Sequence, residues 1–321
     1  MRAKHGTFVV VVDSIETVTP LIKVFRLIDP NGELLPGFSG GSHIVVIVGD
    51  GERIYRNPYS LVSSPFDTRS YEIAVGLAAS GRGGSAAMHR CLKVGDRLEI
   101  SYPANQFPLD RLAKKHVLVA GGVGITPFLA YMHELAVASA PFELHYGVRG
   151  QAHAGLAKRI CAELKANVRI YLEDDQGRPD FPSILHGQPI GAHLYICGPR
   201  PMLEAAREQA ESVGWPDSHI HFELFDQQTT GEAFSVYLAA SKVMIDVPPE
   251  MSLLEAAEAN GVFIPYLCRG GACGHCETEV IDCDGELIHR DIWLSPADRE
   301  ANKKFMPCVS RSLCSKFVLN A

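Results

Sequence analysis

Leu267-Cys268-Arg269-Gly270-Gly271-Ala272-Cys273-Gly274-His275-Cys276 sets three cysteines in a C-x4-C-x2-C run. A fourth, Cys308, follows after 31 intervening residues, within Pro307-Cys308-Val309-Ser310-Arg311-Ser312. Four thiolates at this spacing form a ligand set for a plant-type [2Fe–2S] cluster. The loop has a cysteine at each end and a third close behind, so it can wrap one side of a small cluster. Arg269, Gly270, Gly271, Ala272, Gly274 and His275 lie between the thiols and are mostly small. Small residues let backbone N–H groups reach the sulfurs, and those hydrogen bonds tune the potential. Such a centre carries one electron at a time, so electrons must reach it through the rest of the chain.

Other uses of cysteine compete with this reading. Structural zinc sites show two paired C-x2-4-C knuckles, whereas Cys308 has only Cys314 nearby. Cys273-Gly274-His275-Cys276 alone is a dithiol-exchange motif, which leaves Cys268 and the glycines unexplained. Cys91, Cys161 and Cys283 fit buried structural roles. The chain has nine cysteines and a first apolar run too short for a signal sequence. That usage suits a reducing cytoplasm, with cysteines for metal or redox work rather than disulfides.

A length of 321 residues predicts two or three domains. The net charge of −7 argues against a partner held by phosphate attraction, such as nucleic acid. No apolar run approaches the length of a membrane span.

Residues 1–112 alternate short β-rich runs with turn residues and predict an antiparallel β-barrel, with strands over 7–15, 21–28, 43–48, 59–63, 71–75 and 97–101. Residues 113–225 alternate apolar runs with helical stretches, including one around 154–165. They predict an α/β doubly wound parallel sheet. Residues 226–234 are polar and turn-rich and read as a linker. Residues 235–321 predict a small α+β domain of two strands, one helix capped by Ser252 and Glu255, the cysteine loop and further strands.

Two further signals concern phosphates. Gly121-Gly122-Val123-Gly124-Ile125-Thr126-Pro127 lies between the run HVLVA and a helix, with Thr126 placed as N-cap and Pro127 as the first helical residue. Glycines let backbone approach a pyrophosphate, and a helix N-terminus favours the anion. A tight turn needing glycine only for packing is the alternative. Cys197-Gly198-Pro199 ends a second strand, where open α/β sheets bind ligands. Nearer the N-terminus, Arg56-Asn57-Pro58-Tyr59-Ser60-Leu61 opens a strand, and Gly81-Arg82-Gly83-Gly84-Ser85 precedes a helix-like stretch. An arginine, paired glycines and a serine can cradle a phosphate. Tyr59 offers a ring face and Ser60 a hydroxyl to a flat heterocycle. Equally, Tyr59 can be a core residue and the glycines a surface turn.

The order of these motifs resembles the phthalate dioxygenase reductase family, which includes vanillate demethylase and carnitine monooxygenase reductases. The resemblance covers the whole chain. It implies a flavin barrel, a nicotinamide domain and a C-terminal β-grasp ferredoxin. It further implies that Arg56, Tyr59, Ser60, Leu61, Ala74 and Val75 hold the flavin, with Ser60 at its reactive ring nitrogen. Gly83, Gly84 and Ser85 would hold the flavin phosphate. Gly121, Gly122, Gly124, Thr126, Cys197 and Gly198 would hold the dinucleotide, with Thr126 and Cys197 facing the nicotinamide. Phe225 would lie beside the flavin ring. The implied activity is electron transfer from NADH, through flavin and cluster, to the Rieske centre of a terminal oxygenase. A cytochrome P450 or di-iron monooxygenase is the alternative acceptor, and a non-catalytic electron-transfer subunit the alternative role. One departure stands out: the family reads Arg-x-Tyr-Ser, but Asn57 and Pro58 both separate Arg56 from Tyr59. Arg56 then takes another path to the phosphate, or Arg53 substitutes.

Two cofactor preferences follow. Arg149 is followed by Gly150-Gln151-Ala152 without a second base, and Lys158 and Arg159 read as surface charges, which favours NADH over NADPH. No acidic residue stands at the usual offset for the ribose. Arg82 beside the glycines suits a terminal phosphate, and hence FMN over FAD.

Overall fold

The first hundred residues are rich in β-branched and aromatic side chains and build a strongly bent antiparallel sheet. A computed structural model describes residues 6–51, 53–78, 83–156, 168–225, 231–271 and 273–321. Gly81, Arg82, Lys158, Arg159 and Cys161, most of the helix expected around 154–165, and residues 226–230 of the linker lie outside the described residues. By packing, the chain divides into two units, Met1–Phe225 and Asp226–Ala321.

The barrel strands are β1 (Thr7–Thr19), β2 (Ile22–Ile28), β3 (Ser42–Gly49), β4 (Ile54–Ser60), β5 (Tyr71–Gly76), β6 (Arg97–Ser101) and the short β7 (Ala104–Asn105). Their order is β4-β3-β6-β1-β2-β5, with β7 on β3. A bridge between Leu61 and Ile73 links the two ends and nearly closes the barrel. Val10, Val12, Phe25, Leu27, Ile44, Val46, Leu61, Ile73 and Val75 fill it, and helix α1 (Gly84–Cys91) adds Ala87 and Met88 to that core. The strand expected over 59–63 is β4, displaced toward the N-terminus. Pro58 does not end it, because β4 lies at one end of the strand order and an edge strand tolerates a missing N–H.

The second half of this unit holds β8 (Lys115–Gly121), α2 (Thr126–Val137), β9 (Phe142–Val148), β10 (Val168–Leu172), α3 (Glu173–Gln176), α4 (Phe181–Leu185), β11 (Ala192–Gly198), α5 (Arg200–Ser212) and β12 (Ile220–Leu224). The sheet order is β10-β9-β8-β11-β12, and every pair is parallel. The chain winds outward from β8 to one side and then to the other, so the topological switch point falls between β8 and β11. Ile22, Val24 and Ala74 of the barrel share a core with Leu118, Phe128 and Leu144.

The C-terminal unit contains β13 (Phe234–Leu238), β14 (Val243–Val247), α6 (Leu253–Ala259), β15 (Thr278–Cys283), β16 (Leu287–Ile288), α7 (Pro296–Ala301), β17 (Lys304–Phe305), β18 (Arg311–Ser312) and β19 (Phe317–Leu319). A sheet of order β14-β13-β19-β15-β17 packs Val236, Leu238, Ile245 and Leu319 against Leu253, Leu254 and Ala257 of α6. The expected capping box is present: Ser252 accepts from the Glu255 N–H, and the Glu255 carboxylate accepts from the Ser252 N–H.

Candidate functional site

The turn after β8 is built from close approach. Gly122–Ile125 forms a 3-10 turn that runs directly into α2. Thr126 is therefore already helical, Ile125 holds the cap position, and the Thr126 hydroxyl donates to the Val123 carbonyl at 3.0 Å. This corrects the expectation of Thr126 as N-cap: the glycines fold as a turn of helix instead of an extended approach. A Cβ on Gly124 would lie 2.2 Å from the Cys197 carbonyl oxygen, and one on Gly198 would lie 3.1 Å from the Gly121 Cα. The ends of β8 and β11 thus meet backbone to backbone at the switch point. Gly122 has φ +55° and open space around it.

Cys197 and Thr126 are buried in this turn. Burial and the Glu223 carboxyl push the Cys197 thiol well above its ordinary range. Glu223 pairs with Cys197 across β11 and β12. Its Oε2 is buried with no hydrogen-bond partner among the described residues. Burial raises this carboxyl to about 8, so it is protonated at neutral pH. No motif in the sequence marks Glu223; the available signal is its place in a strand that pairs in parallel with the one carrying Cys197. Phe225 follows β12 and is 36% exposed.

In the barrel, Leu61 and Val75 point into the core, so Ser60 and Ala74 lie on the outer face. Ala74 belongs to the core shared with the parallel sheet, and Ser60 is buried opposite His43. On the same face of β5, a Cβ on Gly76 would meet the Val123 side chain at 3.4 Å. The glycine turn after β8 therefore abuts the barrel wall that carries Ala74.

The β3–β4 register places Tyr55, Asn57 and Tyr59 opposite Val48, Val46 and Ile44, while Arg56 and Pro58 face the other way. Tyr59 packs against the barrel core. Gly83, at φ +103°, caps α1, and Tyr55 and Asn57 press on Gly83 and Gly84. Ser85 accepts a hydrogen bond from the Ala78 N–H at 3.2 Å. A helix N-terminus with two glycines and adjacent side-chain donors fits a flavin phosphate.

Beyond β9, Arg149 is exposed, and a Cβ on Gly150 would lie 2.8 Å from Asp174 Oδ2. Asp174 belongs to the acidic first turn of α3, with Glu173 and Asp175. These acids follow β10, the strand next to β9, and not β9 itself.

In the C-terminal unit, the loop after α6 turns through left-handed residues at Arg269, Gly271 and Gly274. Arg269 is buried, ion-paired with Glu258 of α6, and lies 4.1 Å over the Tyr266 ring. Gly271 packs on Asp291 and Val309, and Gly274 on the Trp293 indole, where a Cβ would lie 2.2 Å from Cε2. Trp293 donates to Glu277 at 3.0 Å and is 52% exposed. The Gly270 N–H donates to Cys268 Sγ at 3.4 Å. Cys276 and Cys308 are buried, with sulfurs 3.2 Å apart. Hydrogen bonding with Cys268 holds the Cys273 thiol down to about 5, toward the thiolate that a metal requires. The loop glycines, the N–H donor and the paired sulfurs fit a cluster held by Cys268, Cys273, Cys276 and Cys308.

Cys314, the other candidate for the fourth ligand, is disulfide-bonded to Cys283, with Cα atoms 5.8 Å apart. The expectation of cysteines without disulfides is thus corrected. Pairing of β15 with β19 sets Cys283 opposite Phe317 and so beside Cys314. Cys91 is a half-buried free thiol.

Residues 236–313 match the family model of the 2Fe-2S iron-sulfur cluster binding domain. Residues 101–220 match that of the dimethylamine monooxygenase subunit DmmA-like N-terminal domain. The heme-dependent oxidative N-demethylase beta subunit of Ectopseudomonas mendocina (strain ymp) is 44% identical over 96% of this chain and 97% of its own. A carnitine monooxygenase reductase subunit of Acinetobacter baumannii is 38% identical over 100% of both chains. The solved structure of phthalate dioxygenase reductase is 32% identical and superposes with a TM-score of 0.85 over 98% of both chains. Among the described residues no helix is long and apolar enough to cross a membrane. The chain belongs to the phthalate dioxygenase reductase-like family and is an NAD(H)-dependent oxidoreductase that transfers electrons through a [2Fe–2S] domain to an oxygenase.

Proposed function

We propose that the chain draws hydride from NADH and supplies single electrons to the Rieske centre of a terminal oxygenase. The contact of Val123 with Gly76 supports the hydride step of this reading, because it sets the end of the parallel sheet against the outer barrel wall, and the likeness to phthalate dioxygenase reductase supports the acceptor. Residues 1–112 serve as the flavin module, 113–225 as the nicotinamide module, and 235–321 as the cluster module. When bound, the nicotinamide supplies a hydride, the flavin divides the electron pair, and the cluster carries one electron at a time.

The chain's own residues position these groups. Gly122, with open space around it, leaves room for the dinucleotide, Gly121, Gly124 and Gly198 let the ends of β8 and β11 close up beneath it, and the buried Cys197 and Thr126 back the nicotinamide. Tyr59, Ser60, Leu61, Ala74 and Val75 shape the flavin site, with Phe225 at its edge. Gly83, Gly84 and Ser85 receive the phosphate of FMN. The carboxylates Glu173, Asp174 and Asp175 beside Gly150 would repel a 2′-phosphate, which favours NADH over NADPH. We place the system in the cytoplasm, where NADH is regenerated.

A haem acceptor is the second reading. It is favoured by the 44% identity to a subunit named for haem-dependent N-demethylation. The test mixes NADH-reduced protein, anaerobically, with a Rieske oxygenase and, separately, with a haem oxygenase component co-purified or co-expressed with it. A reduced Rieske signal in the EPR spectrum supports the first reading, and a shifted haem Soret band the second. Reduction of neither centre sinks both. Equal kcat/KM for NADH and NADPH refutes the nucleotide preference.

A further inference from the structure

The residue that meets the flavin phosphate from β4 can be read from the strand register. The family pattern Arg-x-Tyr sets its arginine two positions before the tyrosine, hence on the same face of the strand. In this chain that position is Asn57. The β3–β4 ladder runs without a bulge from Gly49↔Ile54 to His43↔Ser60. Alternation is therefore unbroken, and Arg56 points away from the face that holds Tyr55, Asn57 and Tyr59.

The packing agrees with the register. A Cβ on Gly84, the first residue of α1, would lie 2.5 Å from Asn57 Nδ2. The Asn57 amide thus sits directly on the helix N-terminus, against the half-buried Gly83 and the buried Gly84. Tyr55 lies beside it, its hydroxyl 2.9 Å from the Cβ position of Gly83 and donating to Asp50 at 2.8 Å. Among the described residues no side-chain hydrogen bond engages the Asn57 amide, so its N–H groups are available to an acceptor.

We propose that Asn57, not Arg56, meets the flavin 5′-phosphate at the start of α1. The proposal rests on the flavin reading of the barrel. This chain then offers a neutral amide where the family pattern has an arginine. Charge-assisted contacts are about twice as strong as neutral ones. The helix N-terminus carries more of the phosphate binding, and the strand less, than in relatives with arginine at this position.

The test uses flavin-stripped full-length protein, titrated with riboflavin, FMN and FAD by fluorescence quenching. Riboflavin lacks the phosphate, so the ratio of FMN to riboflavin affinity isolates the phosphate contact. Asn57→Asp sets a carboxylate against the phosphate and is expected to lower that ratio about tenfold or more. Asn57→Arg restores the guanidinium and raises it about tenfold. Arg56→Gln leaves it within about twofold. Riboflavin affinity, expected to be unchanged in all three variants, reports that the barrel is folded. A ratio that falls with Arg56→Gln, or that ignores Asn57→Asp, overturns the proposal while leaving the flavin reading intact. A wild-type protein that binds none of the three flavins removes both.

Discussion

Replacing Gly124 with alanine puts a methyl where the backbone of the neighbouring strand already stands. The new Cβ would lie 2.2 Å from the Cys197 carbonyl oxygen, 2.5 Å from its carbon and 2.9 Å from the Gly198 nitrogen. Ordinary contact begins near 3.4 Å, so the turn must retreat by roughly 1 Å. No flexible side chain can absorb that shift, because every near atom is backbone held between β8 and β12. The cost belongs at the upper end of overpacking, about 3 kcal/mol. Gly122→Ala is the matched control: φ is +55° with nothing within 4 Å, so only the left-handed penalty of about 1 kcal/mol applies. For a unit of this size, about 1 kcal/mol moves Tm by roughly 2–4 °C. Scanning calorimetry should therefore show a shift of roughly 6–12 °C for Gly124→Ala and roughly 2–4 °C for Gly122→Ala. Equal shifts would mean that the turn and β11 are not in backbone contact, and the geometry of the nucleotide end would have to be redrawn.

Cys308→Ser should abolish the visible absorption of the cluster and leave NADH-dependent ferricyanide reduction in place, whereas Cys314→Ser should keep the cluster; the reverse pattern would reassign the fourth ligand. Glu223, raised to about 8 in the fold from an ordinary 4.5, keeps its proton while the unfolded chain has lost it, so stability falls as pH rises through that window. Unfolding free energies of the first unit, from denaturant titrations at pH 5.5 and 8.5, should differ by a few kcal/mol in the wild type, and Glu223→Gln should remove most of that difference. Ser252→Ala removes one arm of the capping box and weakens the other, and should cost the C-terminal unit about 1 kcal/mol, read as a lower temperature of cluster bleaching with no change in flavin release.

The parts most legible in the sequence were those whose chemistry demands fixed spacing. The cysteine loop needs small residues and left-handed turns between its thiols, and Gly271 and Gly274 supply both. The Ser252–Glu255 cap and the alternation of strands with helices over 113–225 are likewise local patterns. Contacts made across sequence distance were harder to read. Pro58 read as the edge of a strand, yet an edge position accommodates it inside β4. That shift hid the parity by which Asn57 replaces Arg56. Asp174 lies beside Gly150 only because β9 and β10 are neighbours. The Cys283–Cys314 bond needed the β15–β19 pairing, which no short motif announces.

The stacking of Trp293 on Gly274 also gives the protein a built-in optical reporter. The chain has two tryptophans, and each unit owns one. Trp215 donates to the Leu185 carbonyl at 3.3 Å within the nucleotide module, away from any thiol ligand in sequence. Trp293 touches the loop that bears Cys273 and Cys276. An iron–sulfur cluster absorbs across the range where indole emits, so a filled loop darkens Trp293 by energy transfer and an emptied one restores its light. Substituting Trp215 by phenylalanine in flavin-free protein would leave an emission that follows cluster loading, without dye or label.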